Sequence, residues 1–137
     1  MKNSLTKEQI DILKHKGTEK AFTGKLLYNK EEGIYKCVGC GNKLFSSDEK
    51  YDSGSGWPSF SDIYSKESIK TKIDISLGMI RTEVTCYNCG GHLGHVFDDG
   101  PSKTGKRYCI NSAILNFKKK WIKQLELTLG GQLQKLV

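Results

Sequence analysis

A chain of 137 residues suffices for one domain burying about two-thirds of the surface its unfolded form exposes. Its 15 glycines suit a turn-rich β protein better than a helix bundle. The formal net charge is +7, yet residues 82–102 hold no Lys or Arg while Glu83, Asp98 and Asp99 are acidic. That argues against a nucleic-acid partner at the most motif-dense region, since phosphates need cations.

Residues 6–9, TKEQ, have capping-box spacing, and Ile10 and Leu13 follow at helical separation, so a short helix is expected from about Lys7. Past Gly17, short strand-like runs take over: LLY at 26–28, GIYKCV at 33–38 and KLF at 43–45. SGSGWPSF at 53–60 reads as a loop, and MIRTEVTC at 79–86 as a strand entering the second cysteine pair. Residues 94–97 and 107–117 read as two further strands joined by the turn DDGPSKTG. At the end, Leu125, Leu127 and Leu129 alternate as in a strand, while Trp121, Leu125, Leu129 and Leu133 fit a helical face. Periodicity leaves both open. No apolar run approaches the roughly 20 residues that span a bilayer, and the first residues lack a signal core. A soluble cytoplasmic protein with no membrane partner is expected.

Four of the five cysteines form the pairs CVGC (Cys37, Cys40) and CYNC (Cys86, Cys89), each followed by glycine. Two residues between thiolates let both sulfurs face one ion, and two such knuckles supply the tetrahedral site of a structural Zn²⁺. Full coordination leaves no open position, so this metal would staple two hairpins and contribute on the order of 10 kcal/mol to folding.

Cys109 remains, in RYCINS. A lone cysteine is usually a small core residue. On a strand, however, Arg107, Cys109 and Asn111 share a face, and a cation and an amide do not belong in an apolar core. A cationic neighbour also lowers thiol pKa, so Cys109 is expected to be reactive. His92 and His95 lie in CGGHLGHVFDDG, where HxxH with Asp99 could hold a second metal as in a hydrolase. The glycines there favour loop or strand over a helix presenting both ligands. The alternative is that the imidazoles move protons beside the thiol. Trp57 precedes Pro58 in a Gly/Ser loop, an extended platform whose indole face suits a methyl-sulfur group.

Together, SGSGWPSF, both CxxC knuckles, GGHLGHVFDDGP and RYCINS, in that chain order over about residues 6–117, make this sequence similar to the type B methionine-R-sulfoxide reductases. The resemblance implies a mainly β fold of two small antiparallel sheets with short peripheral helices. One reductase domain would cover 1–117, with 118–137 a tail of unassigned role. It implies Cys109 as nucleophile, with His92, His95 and Asn111 assisting. Trp57 would pack on the substrate's S-methyl group, with Phe97, Arg107 and Asp99 completing the substrate pocket. The implied reaction reduces the R epimer of methionine sulfoxide in proteins or peptides through a Cys109 sulfenic acid. Thioredoxin or another thiol would be the reductant. Many relatives carry a resolving cysteine two residues before this tryptophan; here Ser55 stands there, which implies a one-cysteine cycle. The competing reading is a zinc-ribbon nucleic-acid module, which accounts for the knuckles and the charge but not for Cys109.

Overall fold

Thr6 starts the first element as expected. Its hydroxyl accepts from Gln9 N at 3.1 Å, and Gln9 Oε1 accepts from Thr6 N at 2.9 Å, closing a capping box on helix α1, Lys7–His15. The helix buries Ile12 and Leu13, and Leu13 presses where a side chain on Gly91 would sit. The computed structural model describes residues 4–120, and nine strands follow the helix. They are β1 Gly33–Cys37, β2 Lys43–Ser46, β3 Lys50–Tyr51, β4 Ser59–Phe60 and β5 Ile69–Asp74, then β6 Arg81–Cys86, β7 His92–Phe97, β8 Arg107–Ile110 and β9 Leu115–Lys119. All pairings are antiparallel, in sheets ordered β2-β1-β9 and β3-β4-β8-β7-β6-β5.

The sheets meet over an aromatic core. Phe45 and Phe60, both fully buried, stack at 4.3 Å, and Tyr35 meets Phe60 edge-on at 5.1 Å. In the larger sheet, cross-strand register aligns Ser59, Cys109, His95, Glu83 and Lys72 as one row. Directly opposed residues share a face, so the register alone gathers a thiol, an imidazole and a carboxylate. The neighbouring row, Phe60, Tyr108, Val96, Thr82 and Ile73, faces the other way and starts in the core. No helix among the described residues is long and apolar enough to cross a membrane.

Three expectations need correction, and one strand was missed. The stretch 53–60 is not all loop, since Ser59–Phe60 pair with β8 as β4. Residues 26–28 form turns: Leu26 N donates to Ser112 Oγ at 2.9 Å and Leu27 O accepts Lys50 Nζ at 2.7 Å, so side chains take the groups a strand partner would need. Residues 107–117 are not one strand. The buried carboxylate of Glu19 accepts from Ser112 N at 2.9 Å and Ala113 N at 2.8 Å, holding a 3₁₀ turn at Ser112–Ile114 that sends β9 into the other sheet. Strand β5 was not expected, because its burial does not alternate; its lysines blunt a sheet edge. The ambiguous stretch 121–137 lies outside the described residues.

Candidate active site and metal centre

The two knuckles fold alike. In each, the N–H of the first cysteine donates to a carbonyl five residues on (Asn42, Gly91), and the glycine after the second cysteine donates back to the first at 2.8 Å. Those glycines, Gly41 and Gly90, have φ of 81° and 77°, which a β-carbon would strain. The four Sγ atoms lie within 4.8 Å of one another, with Cys37–Cys89 at 3.7 Å and Cys40–Cys86 at 3.5 Å. Sulfurs bound at about 2.3 Å to a tetrahedral zinc stand about 3.8 Å apart, so the donor set fits that ion. Its electrostatics point the same way. A hydrogen bond from Cys37 holds the Cys86 thiol down at about 4, and the same contact, then burial, holds Cys37 up. Thiols this close cannot all ionise without a cation to share.

Cys109 borders a cavity of about 260 Å³ whose wall includes Trp57, His95, Phe97, Arg107 and Asn111. Each wall residue has an identifiable holder. The Trp57 indole N–H donates to Glu19 O at 3.0 Å, and Glu19 N donates to Asn111 Oδ1 at 2.9 Å. Asn111 Nδ2 donates to Leu93 O at 3.0 Å. The buried loop residue Glu19 thus ties the tryptophan, the asparagine and the 3₁₀ turn together. Arg107 reaches Asp99 through two hydrogen bonds, 2.9 and 3.1 Å, while its guanidinium lies 4.4 Å over the Phe97 ring. Asp99 itself is largely exposed and braces Arg107 from outside the cavity.

Strands β7 and β8 approach unusually closely at Gly94, where a β-carbon would fall 2.0 Å from the Cys109 carbonyl oxygen. Only glycine lets the thiol-bearing strand sit this near. His95, opposite Cys109, donates Nε2–H to Asp74 Oδ2 at 2.8 Å, because the imidazole itself holds the Asp74 carboxyl well below its ordinary range. His92 lies behind the wall, 2% exposed, with Nδ1 2.7 Å from Glu83 Oε2. Burial pushes its pKa down, so the neutral ring donates Nδ1–H. The imidazoles meet edge-on, centroids 5.4 Å apart.

Arg107 acts on the thiol in the expected direction but does not dominate. Burial raises the Cys109 pKa; Ser55, whose hydroxyl is 4.0 Å away, and Arg107 oppose it without reversing it. The expectation of a net lowered pKa is therefore corrected.

Sequence reasoning passed over Glu19, Asp74 and Arg81, and met Glu83 only as part of a charge balance. Alternation along β6 would have placed Arg81 and Glu83 on one face. Nothing local marks Glu19, whose carboxylate partners Ser112 and Ala113 lie more than 90 residues away.

A family model described as the SelR domain matches residues 5–119. The chain is 59% identical over 117 residues to a peptide methionine sulfoxide reductase MsrB of Methanosarcina barkeri, covering 85% of this chain and 82% of that one. It is 58% identical over 118 residues to the MsrB of Leptospira interrogans, covering 86% and 90%. Against the mitochondrial methionine-R-sulfoxide reductase B3 of Mus musculus it is 56% identical over 117 residues, covering 85% of this chain and 46% of that longer one. Identity at this level, spread over nearly all the described residues, means that the chain belongs to the methionine-R-sulfoxide reductase B family.

Proposed function

We propose that this protein reduces the R epimer of methionine sulfoxide, in peptides or proteins, to methionine. The observation that carries the reading is the Cys109 thiol on the wall of a small cavity that also presents an indole, a phenyl ring, an imidazole and an amide. Trp57 and Phe97 offer aromatic faces to the S-methyl group. Arg107, with Asp99 behind it, and Asn111 shape the polar side.

A sulfoxide sulfur is a poor electrophile until its oxygen is protonated. His95 at the wall passes the Cys109 thiol proton to that oxygen, and His92 behind it supports the exchange. Cys109 attacks sulfur to form an S–S bond, and the hydroxyl then moves to the Cys109 sulfur as the S–O and S–S bonds break: Cys–SH and sulfoxide become Cys–SOH and thioether. Two equivalents of an external thiol then return Cys–SH with one water and one disulfide, and thioredoxin is a reductant of this class. All five cysteines are free in the structure, and four of them form the metal cluster, so the cycle uses one cysteine.

We further propose that the ion held by Cys37, Cys40, Cys86 and Cys89 is zinc and purely structural, since four thiolates leave no open position. With four cysteines assigned to the metal and Cys109 to the redox cycle, the protein uses no structural disulfide, which suits a reducing compartment, and we place it in the cytoplasm. The zinc-ribbon reading is not favoured, because the cited relatives carry reductase names; no nucleic acid and no membrane enters the reading.

Dithiothreitol-driven reduction of separated R and S sulfoxide peptides by wild type and Cys109→Ser tests this. Turnover of R alone, absent in the variant, is expected. Turnover of neither epimer by folded, metal-loaded protein would overturn it.

A further inference from the structure

Lys16 ends α1 in a left-handed conformation, φ 58°, which is strained for a non-glycine residue. From there its ammonium reaches two buried carboxylates on different strands. Nζ is 3.1 Å from Asp74 Oδ1 on β5 and 3.7 Å from Glu83 Oε1 on β6. The second oxygen of each carboxylate holds an imidazole: Asp74 Oδ2 takes His95 Nε2, and Glu83 Oε2 takes His92 Nδ1. Asp74 and Glu83 are 3% and 2% exposed, and Glu83 Oε1 has no hydrogen-bond partner among the described residues. That oxygen relies on the Lys16 ion pair and on Lys72 Nζ at 3.8 Å.

We propose that Lys16 is a positioning residue whose single ammonium pairs with both buried carboxylates and thereby fixes the tautomer and orientation of His92 and His95 together. This deepens the reductase reading, in which those imidazoles handle the proton. The physical reason is balance. A buried carboxylate that loses one of its cations leans more on the imidazole it already bonds and holds that proton more tightly. With Lys16 in place each carboxylate has an ammonium beside one oxygen and orients its ring through the other. The Lys16 charge is itself one of the influences that lower the His92 pKa.

The charged and titratable groups paired within this cluster, besides Lys16, come from three strands: Lys72 and Asp74 on β5, Arg81 and Glu83 on β6, and the two histidines on β7. Cys109 on β8 stands opposite His95. Arg81 Nη2 is 3.6 Å from Asp74 Oδ2, and Lys72 approaches Glu83 from solvent. Among the described residues only Lys16 is ion-paired to both carboxylates.

The test uses the full metal-loaded chain, ¹⁵N-labelled, with Lys16→Met, Lys16→Gln and Lys16→Arg. Imidazole ¹H–¹⁵N spectra are followed across pH, with a pH–rate profile on an R-sulfoxide peptide in parallel. In the neutral variants the His92 midpoint is expected to rise by about half a unit. The His95 Nε2–H signal should shift as well, and Lys16→Arg should restore both. Lys72→Gln, which leaves Asp74 untouched, should leave the His95 signal in place. Folded neutral variants with unchanged imidazole spectra would overturn the clamp. Should one neutral variant fail to fold, the other carries the same reading. If the imidazoles move and the rate profile does not, the clamp stands, and the proton role of the histidines is what falls.

Discussion

Ser55 Oγ lies 4.0 Å from Cys109 Sγ, in contact with the thiol yet unable to bond covalently to an oxidised sulfur. The hydroxyl belongs to a short chain, Ser55–Ser53–Ser59, with links of 2.9 and 2.7 Å, that returns to the strand paired with Cys109. A thiol at position 55 would need to close only about 2 Å to reach disulfide length. Ser55→Cys should therefore turn a one-cysteine cycle into a two-cysteine one. After a single turnover without reductant, wild type should yield a dimedone-labelled Cys109 and no intramolecular disulfide. Ser55→Cys should yield a mapped 55–109 disulfide and little label. A disulfide between Cys109 and a knuckle cysteine in wild type would refute the one-cysteine reading.

Trp57 does two jobs that substitution can separate. Its ring borders the cavity, and its N–H donates to Glu19 O, the residue that also holds Asn111. Trp57→Phe keeps an aromatic face and loses the hydrogen bond, an expected drop of about tenfold in kcat/KM from roughly 1.4 kcal/mol. Trp57→Ala loses both and should fall about a further tenfold, mainly through KM. Steady-state kinetics on an R-sulfoxide peptide decide; equal losses would mean that the ring face contributes nothing.

The geometry of the site was legible wherever it depends on short spacing. CxxC spacing marked the metal knuckles, and strand alternation joined Arg107, Cys109 and Asn111. What could not be read depends on register and on long-range backbone partners. The row Ser59–Cys109–His95–Glu83 arises from three pairings among four strands, and no single segment encodes it. Likewise, 107–117 looks like one strand because its apolar residues continue past the break. The break is imposed by the Glu19 carboxylate, some 90 residues earlier in the chain. Propensity yielded there to a buried hydrogen-bonded charge.

The cysteine cluster joins the turn after β1 to the turn after β6, hence one sheet to the other. Removing the ion should leave four crowded thiols and release the constraint on both turns. One metal ion per chain is expected by elemental analysis. Chelation, or Cys86→Ser, should remove stability on the order of 10 kcal/mol, enough to unfold most of the protein at room temperature. Circular dichroism with and without chelator checks this. A chelated protein that keeps its thermal midpoint would show that the cluster needs no metal.

Asp74 makes stability depend on acid, and the sign follows from its surroundings. Its carboxyl is held well below the ordinary range, first by the hydrogen bond from His95 and then by Ser76. Folding thus favours the ionised form. The contribution is full above the unfolded value near ~3.9 and is lost as pH falls through the lower folded value. Above about pH 4, Asp74→Asn should be less stable than wild type by roughly 1–3 kcal/mol, the cost of weakening a buried hydrogen-bonded charge. Its stability should also vary less between pH 4 and pH 2. Urea midpoints give the comparison over the part of that range in which the cluster keeps its ion, since cysteine thiolates protonate and release metal in acid. Curves that fall in parallel would assign the acid sensitivity to other carboxylates and remove Asp74 as the group that responds.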